Sequence, residues 1–143
     1  MFPRIDTAPD VLTTIKESVR EHRRHLASGS RYVSRYGTDR ETVGRYQAVA
    51  DAVVEAELHI EFGTRSGRAS NWTEEHTVAF TAVARCTGHG CTDPTHQSAK
   101  GEVFLLDADA DETAPNALPL IATARAWAQK HAETCRALPY TGR

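Results

Sequence analysis

Apolar and polar positions along the chain fall into a few stretches, each with its own period. In "TAPDVLTTIKESVREHRRHLASG", Val11, Leu12, Ile15, Val19 and Leu26 recur at helical spacing. Pro9 suits the first turn of a helix and Gly29 the position just past its end, so a helix is expected over 9–28. In "DRETVGRYQAVADAVVEAELHIEF", Val43, Tyr46, Ala50, Val53, Val54 and Leu58 form one stripe behind Asp39, a good N-cap. That spacing predicts a second helix, ending at Gly63, with "TRSGRASN" as the linker that follows.

The second half changes character. "HTVAFTAVARC" puts Val78, Phe80, Ala82 and Ala84 at alternating positions, as a strand does. A helix capped by Thr73 competes there, because alanine favours helix. "GEVFLLD" reads as a further strand, rich in β-branched and aromatic types. "LPLIATARAWAQKHAETCRAL" reads as a helix with Leu120, Ala124, Trp127, His131 and Cys135 on one face, stopped by Pro139. The expectation is an α+β protein. A two-helix N-terminal half, 1–66, stands beside a small strand-and-helix unit, 67–143, stapled by zinc; the two can also merge into one domain.

At 143 residues the chain can bury an adequate core without covalent help. Its net charge of −2 excludes a uniformly basic protein, so any nucleic-acid contact has to come from a local patch. No stretch has the apolar length of a signal peptide or a membrane span, which places the expected location in the cytoplasm, with no membrane partner. Three cysteines in a reducing compartment do not make a disulfide framework. The "NWT" acceptor at Asn71 carries no weight without a secretory signal.

Those cysteines carry the chemistry. Cys86 and Cys91 bracket a glycine-containing turn, "CTGHGC", at the end of the expected strand. His131 and Cys135 lie four apart on the last helix, where side chains stand one turn above each other. Zinc takes four tetrahedral ligands from thiolate and imidazole, and both pairs have ligand spacing. Their separation in sequence is long for a zinc finger and must contain "GEVFLLD" and an acidic loop. The first ligand set is Cys86, Cys91, His131 and Cys135; the second replaces Cys91 by His89, and His96 is near enough to replace a sulfur. The bland alternative is three cysteines acting as small buried hydrophobes.

The stretch "ARCTGHGC" followed by "ARAWAQKHAETCRALP" resembles small zinc-ribbon-like proteins of high-GC actinobacteria, often carried on plasmids, prophages or integrated elements. The matching residues are Cys86, Thr87 and Gly88, then Trp127, Ala128, His131, Ala132, Cys135, Arg136 and Ala137. The resemblance implies a zinc-ribbon-like site. Its second cysteine directly follows the glycine, where this chain has His89, and that keeps His89 a rival to Cys91.

Two other stretches bear on function. "DADADE" spaces aspartates like a calcium loop but has Glu112 and Leu118 at the positions that need glycine and glutamate, so a solvated acidic loop before the last helix is expected. "REHRRHLASGSRYVSRYGTDRETVGRY" interleaves arginine and tyrosine. Arg23, Arg24, Arg31, Tyr32, Arg35, Tyr36 and Arg45 can meet phosphates and stack on bases, or can form a solvated face pairing with neighbouring acids. An acidic protein partner or a second copy of the chain fits the same patch. The common catalytic motifs are absent. A zinc hydrolase needs a shell left open to water, with Cys86, His131 and Cys135 as ligands and Glu133 or His96 as base; a sulfur-rich shell argues for a structural metal. The expected function is a zinc-stabilised binding or regulatory protein contacting nucleic acid through the Arg/Tyr patch.

Overall fold

The computed structural model describes residues 4–5, 11–28, 37–66, 74–98 and 101–139. Its centre is an antiparallel sheet of six strands. They are β1 (Arg4–Ile5), β2 (Gly37–Gln47), β3 (Val53–Ser66), β4 (Glu74–Cys86), β6 (Thr95–Gln97) and β7 (Val103–Leu105). The order is β1-β2-β3-β4-β6, with β7 also pairing β4. β6 faces one end of β4 at Val83–Arg85 and β7 faces the other at Thr77–Ala79. Helix α1 (Val11–Ala27) lies between β1 and β2 in the chain. A short helix α2 (Ala110–Thr113) and a 3₁₀ turn (Ala114–Ala117) lead into α3 (Leu118–Thr134). A separate ladder pairs β5 (Gly88–His89) with β8 (Leu138–Pro139).

The expected two-helix N-terminal half is overturned. The second helix is the β2–β3 hairpin, and the sheet dominates the fold. The reason lies in "VEAELHIEF". Val54, Ala56, Leu58, Ile60 and Phe62 are all buried, while Glu55, Glu57, His59 and Glu61 between them are half-exposed. That is a period of two, the signature of a strand with one covered face. A stripe of every third or fourth residue picks out only some of these positions. The turn also hides itself, since it has no glycine, proline or asparagine. Asp51 supplies the left-handed backbone, φ 73°, and accepts a hydrogen bond from Gln47 at 2.8 Å. Asp39, read as an N-cap, lies in β2 and accepts a hydrogen bond from the Ser18 hydroxyl.

The strand over 76–86 is found, as part of β4, and not the competing helix. "GEVFLLD" contributes the three-residue β7. The first helix is found over Val11–Ala27; residues 9 and 10 of the expected span lie outside the described residues. β4 shares its covered face with β3: Val78, Phe80, Ala82, Ala84 and Cys86 lie opposite Phe62, Ile60, Leu58, Ala56 and Val54. Both long helices pack on that face. α1 buries Val11, Ile15 and Val19, and its His22 ring stacks on Phe62 with centroids 4.0 Å apart. α3 buries Ile121, Ala124, Ala128 and Ala132, a stripe rotated one residue from the expected one; Leu120 and Trp127 pack at its margin. α3 lies over β3 and β4, which present Ala56, Ala82 and Ala84. Alanine on both sides lets helix and sheet approach closely, and the end of α3 is thereby carried down to the end of β4.

The acidic stretch is a cap, not a calcium loop. Asp109 accepts from the Asp111 amide at 2.9 Å and starts α2. Asp111 meets Lys16 at 3.0 Å and Arg20 at 3.5 Å; the Lys16 hydrogen bond and charge hold its carboxyl below the ordinary range. Among the described residues no helix is long and apolar enough to cross a membrane.

Candidate metal centre

β4 ends on Cys86, whose amide donates to the Pro94 carbonyl at 2.6 Å. The chain then turns sharply. Thr87 fixes the turn to the start of β3: its amide and hydroxyl donate to the Val53 carbonyl at 2.9 and 3.0 Å, and its hydroxyl oxygen accepts from the Val53 amide at 3.2 Å. Gly88 follows where nothing larger fits. A Cβ there would lie 2.6 Å from Cβ of Ala137, 3.3 Å from Sγ of Cys86 and 3.4 Å from Cβ of Ala52. Its amide points at Sγ of Cys86, 3.3 Å away. Gly90 turns left-handed, φ +76°, and brings Cys91 back beside Cys86.

The opposite wall is the end of α3. His131 lies in its last turn. Cys135 is the C-cap, already extended at φ −71° and ψ 128°, with its amide donating to the His131 carbonyl at 2.7 Å. The β5–β8 ladder, Gly88 opposite Pro139 and His89 opposite Leu138, ties the two ligand-bearing segments together just outside the site.

Within this frame the ligand atoms of Cys86, Cys91, His131 and Cys135 all lie within 4.8 Å of one another, a group that could hold a metal ion. Sγ of Cys135 is 3.9 Å from both other sulfurs, and Sγ of Cys91 is 3.3 Å from Nε2 of His131. Zinc–sulfur bonds of about 2.3 Å give a tetrahedron whose sulfur–sulfur edge is about 3.8 Å. The sulfurs are far too distant for a disulfide, and all three cysteines are free thiols. Burial pushes the Cys86 thiol up from 9.0 to about 11, against the Gly88 amide, which favours the thiolate.

The two alternative ligands are placed elsewhere. His89 is exposed on β5 and lies outside the group. His96, on β6, stacks on Trp127 with centroids 5.6 Å apart, and its Nε2 is buried without a hydrogen-bond partner among the described residues. Trp127 in turn stacks on the His131 ring at 4.6 Å, 13° from parallel. Sequence reasoning put Trp127 on the right face but gave it no role. Its spacing of four from His131 was the available signal. Trp127→Leu is expected to weaken metal binding about tenfold by freeing the His131 ring, and Trp127→Phe to restore most of it. Competition with a chromophoric chelator reads both.

The Arg/Tyr patch fares differently. Arg31, Tyr32, Arg35 and Tyr36 lie outside the described residues. Arg23 turns inward: its Nε and Nη2 donate to the Leu106 carbonyl at 3.1 and 2.6 Å, and Nη2 to the Ala108 carbonyl at 2.9 Å. Arg45 meets Glu55 at 3.1 Å, and Arg24 is exposed. Arg23→Ala is therefore expected to cost about 1.5 kcal/mol of stability, read as a lower urea midpoint at unchanged slope, with no change in binding to any polyanion.

Comparison of the chain with protein-family models, with curated proteins and with solved structures gives no match.

Proposed function

We propose that this is a zinc-stapled binding protein, in which Cys86, Cys91, His131 and Cys135 form a closed structural shell. One observation carries the reading: four nitrogen and sulfur donors from two distant segments converge to within 4.8 Å, at separations close to the edges of a zinc tetrahedron. Cys91 stands at the corner that a zinc hydrolase leaves to water. Glu133, offered as a base for such an enzyme, is exposed on α3.

Elemental analysis of protein purified without added metal tests the reading, with about one zinc per chain expected for a closed site. Cys91→Ala is expected to lose the metal and His89→Ala to keep it; the reverse result assigns the fourth corner to His89. Binding displaces the Cys86 proton, so zinc affinity rises with pH through the neutral range.

Interaction with another protein is better supported than contact with nucleic acid. Two described members of the basic patch are engaged within the chain, and β3 carries Glu55, Glu57 and Glu61 on the face turned away from the helices. Titration with single- and double-stranded DNA and RNA at low salt, where phosphate contacts are strongest, separates the two. A saturable, salt-sensitive complex would return the role to nucleic acid.

A further inference from the structure

The three sulfurs are unequally placed. Cys86 and Cys135 are buried, while Cys91 is half-buried. A depression of about 470 Å³ opens onto the site from solvent, lined by Cys91, His131 and Cys135 together with His89, Asp93 and Arg136. A small polar molecule entering there meets Cys91 and Cys135 and not Cys86, which does not line it. Sγ of Cys91 then has Sγ of Cys135 as a neighbour at 3.9 Å.

The backbone allows these two sulfurs to close. Cys91 follows Gly90, and its amide is held to the Gly88 carbonyl only by a long contact of 3.4 Å. Cys135 has left the helix. Closing from 3.9 Å to a bond of about 2.05 Å moves the sulfurs, with the turn giving way before the sheet does.

Building on the zinc reading, we propose that Cys91 is an oxidative modification site and that hydrogen peroxide converts the Cys91–Cys135 pair to a disulfide, opening the clasp. The Cys91 thiolate attacks one peroxide oxygen, the O–O bond breaks, and the departing hydroxide takes a proton to become water, leaving a sulfenic acid. The Cys135 thiolate attacks that sulfur. The S–O bond breaks, the S–S bond forms, and the second hydroxide leaves and is protonated. The two sulfurs together give up two electrons, and one peroxide becomes two waters. The disulfide withdraws two of the four ligands, and the remaining pair, Cys86 and His131, is too few to hold zinc.

The experiment treats the zinc-loaded, full-length protein with hydrogen peroxide. Zinc release is followed with a chromophoric chelator, and disulfides are mapped by mass spectrometry without reduction. Release in step with a Cys91–Cys135 disulfide, reversed by dithiothreitol and added zinc, is the expected result. Cys91→His, which keeps four nitrogen and sulfur ligands, should release zinc at least tenfold more slowly; His89→Ala, at a residue outside the ligand group, should release it at the wild-type rate. Retained zinc, a Cys86–Cys135 bond, or release without any disulfide overturns the proposal while leaving a structural zinc in place. If the chain takes up no zinc, the zinc reading falls. Disulfide mapping then decides the oxidation site alone, kept by a Cys91–Cys135 bond and lost without one.

Discussion

Stripping the metal, by chelation or by Cys135→Ser, is expected to lower the melting temperature by about 12 °C. The unfolded chain has no preformed site, so the binding free energy is part of the folding free energy. At free zinc a thousandfold above its dissociation constant, that term is about 4 kcal/mol. For a chain of this size, each kcal/mol moves the midpoint by about 3 °C. Without metal, the end of β4 and the end of α3 are held together in this corner by the β5–β8 ladder of two residues per strand and by the packing of α3 on the sheet. The pH dependence should also reverse. In the metal-free protein, burial raises the Cys86 thiol from 9.0 to about 11, so the folded state holds a proton that the unfolded state has lost. Its contribution is complete below pH 9.0 and is lost as pH rises towards 11. In the zinc-loaded protein the sulfurs are already ionised, and stability is lost on the acid side, where protons compete for the ligands. A zinc-free sample with an unchanged midpoint and the same pH profile would show that the metal is not structural.

Gly88→Ala is the most damaging single-methyl change expected, at about 3 kcal/mol. The new Cβ would stand 2.6 Å from Cβ of Ala137, which is no flexible side-chain tip and can retreat only if its backbone moves. It would also press on Sγ of Cys86 and Cβ of Ala52. Relief requires β5 to separate from the chain after α3, which pulls the two ligand pairs apart. The control is Gly90→Ala, two residues on. No atom lies within 4 Å of a Cβ there, and the cost is the left-handed backbone at φ +76°, about 1 kcal/mol. Denaturant midpoints and zinc affinities of both variants decide the matter. Equal losses would mean that turn conformation, and not the close approach to Ala137, governs the site.

The Cys/His group that could hold a metal was legible because its members are near neighbours in pairs. Cys86 with Cys91, and His131 with Cys135, carry their geometry in local spacing, and one long-range contact completes the group. The residues that position the group were not legible. Thr87 matters through Val53, Gly88 through Ala137, and Trp127 through His96 as well as His131; each partner comes from another element. The β2–β3 hairpin was missed for a related reason. Alanine and valine at Ala50, Val53 and Val54 complete a helical stripe across what is in fact a turn, and Asp51 takes the conformation that a glycine would have announced. Arg23 could not be told from a solvent-facing arginine, because its acceptors, Leu106 and Ala108, lie far along the chain on the other side of the sheet sequence.

The clasp between Cys86–Cys91 and His131–Cys135 also sets the order of events in time. Between its halves lie β6, β7, α2 and α3, and bringing such distant points together costs loop entropy that packing has to offset first. If these side chains hold zinc as proposed, they are expected to meet late, after α3 has settled on the sheet, and the metal to stabilise the native state far more than the barrier that precedes it. Such an interaction leaves the folding limb of a chevron almost unmoved and lowers the unfolding limb. On the proposed zinc reading this would appear as lifetime: a zinc-loaded chain would open rarely, and the moment at which it lost its metal would set the rate at which proteases could reach its interior.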